Sequence, residues 1–224
     1  MTSVLLNARR FYQALKSLLA LVGLAALAAY FVVPQLPTMP LAAGLPSFAP
    51  VAPAAAAAAE LPTALAEAAL EREQEAVAEY IARRYRIADN AATHFVSIAY
   101  RAAEQHRLDA LLVLAVMAIE SRYNPVAESV MGAKGLMQVI PKYHREKLFE
   151  HGGDQALLEP EVNIQVGAQI LREYQRRFGD IETALQMYAG ALDEPTSQYA
   201  NKVFAEKARL DALRFKVRKT GQSV

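Results

Sequence analysis

Positions 111–119 read LLVLAVMAI, nine residues without a polar side chain, and position 120 is an acid. On a helix, nine consecutive apolar residues cover every side, so the segment has to be surrounded by other elements rather than laid on a surface. A buried strand of that length is the competing reading. Asp109, placed to cap a helix start, and Pro125, just past its end, favour the helix. Glu120 then stands in the last turn of a buried helix. Burial disfavours its carboxylate form, and so does the negative end of the helix dipole; both raise its pKa towards neutrality. A carboxyl that keeps its proton at pH 7 can serve as a general acid. The plainer reading is an acid that reaches solvent as the helix ends and pairs with Arg122.

The surrounding sequence also reads as helix. Residues 63–88 place Leu70, Val77, Ile81 and Tyr85 at spacings near three, four and seven, with Glu71, Glu73 and Glu75 ahead of Arg83, Arg84 and Arg86. This segment is expected to be a solvated amphipathic lead-in. Asp89 is placed to cap the next helix, in which Phe95, Ile98, Tyr100 and Ala102 supply packing surface. A further amphipathic helix starts near Pro160 and stops at Gly179, with Gly167 allowing a close helix contact. No alternating strand pattern stands out, so the fold class is all-α.

The N-terminal quarter is different. Residues 17–33 carry no charge over seventeen positions, follow Arg9, Arg10 and Lys16, and end at Pro34. Seventeen residues is the lower limit for a helix that crosses a bilayer, and positive charge ahead of it keeps that end in the cytoplasm. A signal anchor is expected, in preference to a cleaved signal peptide, whose apolar region is usually shorter. Residues 34–62 hold seven of the eleven prolines and six consecutive alanines from Ala54, the composition of an extended spacer. The expected organisation is therefore a membrane segment over 1–33, a Pro/Ala-rich linker over 34–62, a helical lead-in over 63–88, a main domain over 89–215 and a basic tail over 216–224. That tail, with Arg209 and Arg214 before it, is expected to be a solvated, frayed end.

Composition excludes several classes. The net charge of +1 offers no field for nucleic acid, and the absence of cysteine removes disulfides, thiolate metal sites and a Cys nucleophile. The four histidines form no H-x₃-H pair, so neither a metal nor another cofactor is expected. His144 and His151 are expected at the surface.

Four stretches, the first of them opening on Glu120, stand in order along the chain. They are ESRYNP from Glu120, S-x-x-G-A-x-G-L-M-Q from Ser129, P-E-x-N-I-x-x-G from Pro160 and A-L-x-x-Y from Ala184. In this order and at these spacings they resemble the soluble lytic transglycosylase (SLT) domain, a family of lysozyme-like murein lyases, over about residues 89–215. The resemblance implies a helical lysozyme-like fold with a cleft for the glycan strands of peptidoglycan. It implies that Glu120 is the sole catalytic acid and base and that Ser121 orders the site. It further implies that Met137 and Gln138 line the cleft and that Tyr188 points its hydroxyl at the catalytic carboxyl. The implied reaction is cleavage between N-acetylmuramic acid and N-acetylglucosamine with formation of a 1,6-anhydro end. Lysozyme-type hydrolysis at the same site is the second outcome.

One position departs from the pattern. The family usually has Asn after the tyrosine, and this chain has Ala189. Asn can hydrogen-bond substrate and hold its loop, and Ala cannot. The alternative function is therefore a membrane-tethered peptidoglycan-binding or assembly module. The expected location is the cell envelope, anchored in the inner membrane with the domain in the periplasm. A secretion or transfer apparatus is a conceivable partner.

Overall fold

In the computed structural model, residues 54–221 are described, with side chains from 65 to 219. The segment 17–33, expected to be a membrane anchor, and most of the linker lie outside the described residues. No helix among the described residues is long and apolar enough to cross a membrane. Seven α-helices follow in order: α1 Ala54–Tyr85, α2 Asp89–His106, α3 Ala110–Glu120, α4 Arg145–Leu148, α5 Pro160–Phe178, α6 Ile181–Tyr188 and α7 Gln198–Gly221. Single 3-10 turns surround α4, and two isolated antiparallel bridges, Glu128 with Lys134 and Lys134 with Val139, organise the loop after α3.

The apolar run is the centre of the fold. Residues Ala110 to Ala118 of α3 are all buried, with α2 on one side and α7 on another. Asp109 caps the helix by accepting the Leu111 amide at 3.0 Å. The same carboxylate also receives Lys207 at 2.7 Å and Arg214 at 2.9 Å, both from α7. α2 starts at Asp89 itself, after an N-cap at Ala88 that supplies no side-chain bond, so the expected Asp89 cap is absent. α2 stops without a glycine, because Arg107 takes a left-handed φ of 55° and gives its amide to the Ala103 and Glu104 carbonyls. α5 begins on Pro160 and ends at left-handed Gly179, as expected.

Two expectations about the ends of the chain are corrected. The lead-in is part of the domain: α1 packs on α2 and α7, and Val77 and Ile81 are fully buried. Its Glu73 is buried as well, accepting Tyr100 Oη at 2.8 Å, Arg214 Nε at 3.0 Å and Arg218 at 3.3 Å. Glu206 of α7 is the reciprocal case, taking Tyr85 Oη at 2.7 Å and Arg209 at 2.5 Å. Buried carboxylates survive only when paired in this way. The basic tail therefore continues α7 as helix to Gly221, with Arg214 and Arg218 serving as counter-charges for α1. The helix also begins at Ala54, inside the tract expected to be extended. Alanine has the highest intrinsic helix propensity, and a run of it outweighs the neighbouring prolines.

Candidate active site

α3 ends at Glu120 because the next residues cannot continue it. Arg122 and Tyr123 both have left-handed backbones, φ 54° and 64°, a conformation that disfavours side chains. Burial holds Tyr123 there: its ring lies 4.8 Å from that of Tyr85 and its hydroxyl donates to the Leu114 carbonyl at 2.9 Å. Ser121 Oγ donates its one hydrogen to the Leu136 carbonyl at 2.8 Å and lies 3.3 Å from the Met117 carbonyl. The helix end and the glycine-containing loop are thereby fastened at the residue beside the acid.

Glu120 is largely removed from water, and burial pushes its carboxyl from the ordinary 4.5 up to about 7. One hydrogen bond opposes the shift. Tyr199, in the first turn of α7, donates its hydroxyl to Glu120 Oε1 at 2.5 Å. Among the described residues no other carboxylate perturbs Glu120, a carboxyl poised near neutrality.

Tyr199 takes the place expected for Tyr188. The Tyr188 hydroxyl donates to the Met137 carbonyl at 2.8 Å instead. Tyr188 still faces the acid closely enough for the negative charge of Glu120 to help push its phenol well up, after burial as the main cause. Nothing in the local sequence announces Tyr199. It lies 79 positions from Glu120 and reaches it only because α7 packs along α3.

Met137 is also corrected. Its side chain is fully buried and is not a cleft wall. It fills the space over Gly167, where an added Cβ would come within 2.5 Å of the methionine sulfur. Its backbone is the part facing the site, fixed by Tyr188 on the carbonyl and by Asn163 on the amide, at 2.7 Å. Asn163, fully buried on α5, is the clip for the whole loop. Its Nδ2 donates to the Lys134 and Leu157 carbonyls, each at 2.8 Å. Gly135 has φ +73° and no room for a Cβ, which would meet Leu157 O at 2.2 Å and Asn163 Nδ2 at 2.3 Å. The P-E-x-N-I and G-A-x-G-L-M-Q stretches are thus two halves of one lock, which explains their pairing in the sequence.

Gln138 does line an open groove. The groove has a volume of about 420 Å³ and is also walled by Tyr143, His144, Tyr174, Tyr188 and Ala189. The Gln138 amide nitrogen is committed to the Ala127 and Gly135 carbonyls at 3.1 and 3.0 Å, which turns its oxygen into the end available to a ligand hydroxyl or amide donor. His144 was expected at the surface, but it is half-buried in this wall, and burial lowers its pKa. Glu120 is not a wall of the groove; Tyr188 connects the two. A larger groove of about 540 Å³, between α1 and α7, contains none of these residues. Among the described residues no three His, Cys, Asp or Glu side chains converge as a metal cluster.

A helical domain with a half-buried carboxyl raised to about 7, near an open groove with polar and aromatic walls, is a framework suited to general-acid chemistry. The family model described as "Transglycosylase SLT domain" matches residues 95–209. The chain belongs to that family. It is 37% identical over 107 residues to a transglycosylase of Enterobacteria phage PRD1, a match covering 46% of this chain and 38% of the phage protein. It is 39% identical over 72 residues to the soluble lytic murein transglycosylase of Salmonella typhimurium, covering 30% and 11%. It is 31% identical over 116 residues to the membrane-bound lytic murein transglycosylase C of Sodalis glossinidius, covering 49% and 30%. The chain therefore spans well under half the length of these relatives. Among solved structures, an inactive mutant of lytic transglycosylase Slt from Pseudomonas aeruginosa aligns with a TM-score of 0.46 and 23% identity, over 51% of this chain and 23% of that one.

Proposed function

We propose that this protein is a peptidoglycan lytic transglycosylase in which Glu120 is both acid and base. The observation that carries the reading is the state of Glu120: a carboxyl raised to about 7, held by Tyr199 and, among the described residues, with no second carboxylate acting on it. Most glycosidases divide the work between two carboxyl groups. One suffices when the nucleophile is in the substrate. Glu120 protonates the glycosidic oxygen between N-acetylmuramic acid and N-acetylglucosamine, and the N-acetyl carbonyl of the muramic residue supports the developing cation. The carboxylate left behind takes the proton of the C6 hydroxyl of the same sugar, which closes the 1,6-anhydro ring. Intramolecular attack brings a high effective molarity, so no activated water is needed. Gln138 and Tyr188 are the substrate-binding residues of this reading, with Ser121 and the Met137 backbone holding the loop that carries Gln138.

The relatives' names supply the substrate class, and the sequence over 17–33 supplies the location: an inner-membrane anchor with the domain in the periplasm, facing the cell wall. A second reading, a binding or assembly module of an envelope apparatus, is favoured by Ala189, which stands in the groove wall without the amide usual at that position. Mass spectrometry of purified sacculi after digestion separates the readings. Muropeptides ending in 1,6-anhydro-muramic acid, absent with Glu120→Gln, support the lyase. Free reducing ends support a lysozyme, and binding without release supports the module.

A further inference from the structure

The bond from Tyr199 to Glu120 depends on where the first turn of α7 sits, and that turn carries amide groups with no partner inside the helix. Two side chains supply partners. Glu194 Oε2 accepts the Gln198 amide at 2.8 Å, and Gln186 Oε1 accepts the Ala200 amide at 3.1 Å. Gln186 is buried on α6, two residues before Tyr188. Its Nε2 donates to the Ala191 carbonyl at 3.0 Å and reaches Glu194 Oε2 at 3.4 Å. Glu194 in turn binds the Thr196 amide at 3.0 Å and the Thr196 hydroxyl. One glutamine thus touches the loop leaving α6, the acid inside that loop, and the peptide that joins Tyr199 to Ala200. Ala189 gives this loop no side-chain tie, and Ser197, the last residue before α7, has a left-handed φ of 49°. The chain turns into α7 through a strained residue, and Gln186 is the buried tether from α6 that holds the turn.

We propose that Gln186 is a positioning residue: by bonding the Ala200 amide it sets the rotation of the first turn of α7 and so aims the Tyr199 hydroxyl at Glu120. Its kinetic consequence rests on the lytic-transglycosylase reading; its geometric consequence does not. The groups that face Glu120 are the phenols of Tyr199 from α7 and Tyr188 from α6. Of these, Tyr199 is the one whose donation favours the ionised carboxyl, so loosening it moves the titration of Glu120 upward.

The experiment is a double-mutant cycle of Gln186→Met and Tyr199→Phe in the full chain. It is read by muropeptide release from purified sacculi and by ¹³C-carboxyl NMR titration of Glu120, assigned by its loss in Glu120→Gln. Gln186→Met is expected to lower turnover about two- to tenfold, the effect of one weakened hydrogen bond, with KM changed less than about twofold. It should raise the Glu120 titration in the same direction as Tyr199→Phe. The double variant should be no worse than Tyr199→Phe alone, because both changes act through one contact. Effects that multiply, or a Glu120 titration in Gln186→Met identical to wild type, overturn the proposal. If Gln186→Met does not fold, Gln186→Asn, polar but one methylene too short to reach the Ala200 amide from the same backbone position, carries the same test, and an unmoved Glu120 titration there overturns the proposal equally. If wild type releases no muropeptides, the proposed function fails while the titration still decides the role of Gln186.

Discussion

Replacing Glu120 by glutamine should stabilise the protein, increasingly as the pH rises above about 4.5 and in full above about pH 7. The folded structure raises this carboxyl from 4.5 to about 7. Between those values the unfolded chain has released the proton and the folded chain retains it, so stability falls as pH rises through the window. Above about pH 7 the loss is complete, and a shift of this size corresponds to about 3 kcal/mol. That is a large share of a domain stability of about 5–15 kcal/mol. Gln has the shape of the protonated acid and can still accept the Tyr199 hydroxyl, so it removes the titration and keeps the contact. Urea denaturation of wild type and Glu120→Gln at pH 4, 6 and 8 measures the effect. The two should differ little at pH 4, and the variant should gain progressively to about 3 kcal/mol at pH 8. A difference that is constant with pH would refute the raised pKa of Glu120, and with it the physical basis for the acid role proposed for it.

Three further outcomes are expected. Ala189→Asn should raise turnover about two- to tenfold without changing the product, the gain of one hydrogen bond to an uncharged group, as read by muropeptide release. Glu73→Ala should strip Arg214 and Tyr100 of a buried partner and lower stability by about 3–5 kcal/mol in a denaturant melt, with no shift in the pH profile of activity. Gly135→Ala should cost more than about 1 kcal/mol through its positive φ alone, and it should also displace Asn163, so that hydrogen exchange at the Met137 amide accelerates.

The sequence made the central helix legible because every cue agreed: an unbroken apolar run, a capping Asp109 and a terminating Pro125. For Glu120 it offered two readings, an acid raised towards neutrality at the helix end and an acid reaching solvent beside Arg122; of the two causes named for the first, loss of hydration is the one that raises the carboxyl. What escaped was whatever depended on helices meeting from far apart. Glu73 and Arg214 look like surface charges when each is read on its own helix, and they become buried partners only when α1 lies on α7. Met137 and Tyr188 stood in stretches with the right spacing, yet spacing does not say whether a side chain or its backbone faces a site. Tyr199 stood in no stretch at all. Its role comes from a helix crossing, and a single sequence carries no mark of that crossing.

The contacts of α3 with α7 have a mechanical consequence. Asp109, at one end of α3, grips Lys207 and Arg214, while Glu120, at the other, grips Tyr199. The two carboxyls are about 16 Å apart along the helix axis, and everything between them is greasy. Apolar contacts are non-directional, whereas two polar latches at opposite ends select one alignment. The protein therefore works like a drawer with a catch at each end. The aliphatic residues between the catches can be exchanged for others of like volume without misplacing the acid. A change at Asp109, a full helix length from the chemistry, would let the acid drift from its hydroxyl.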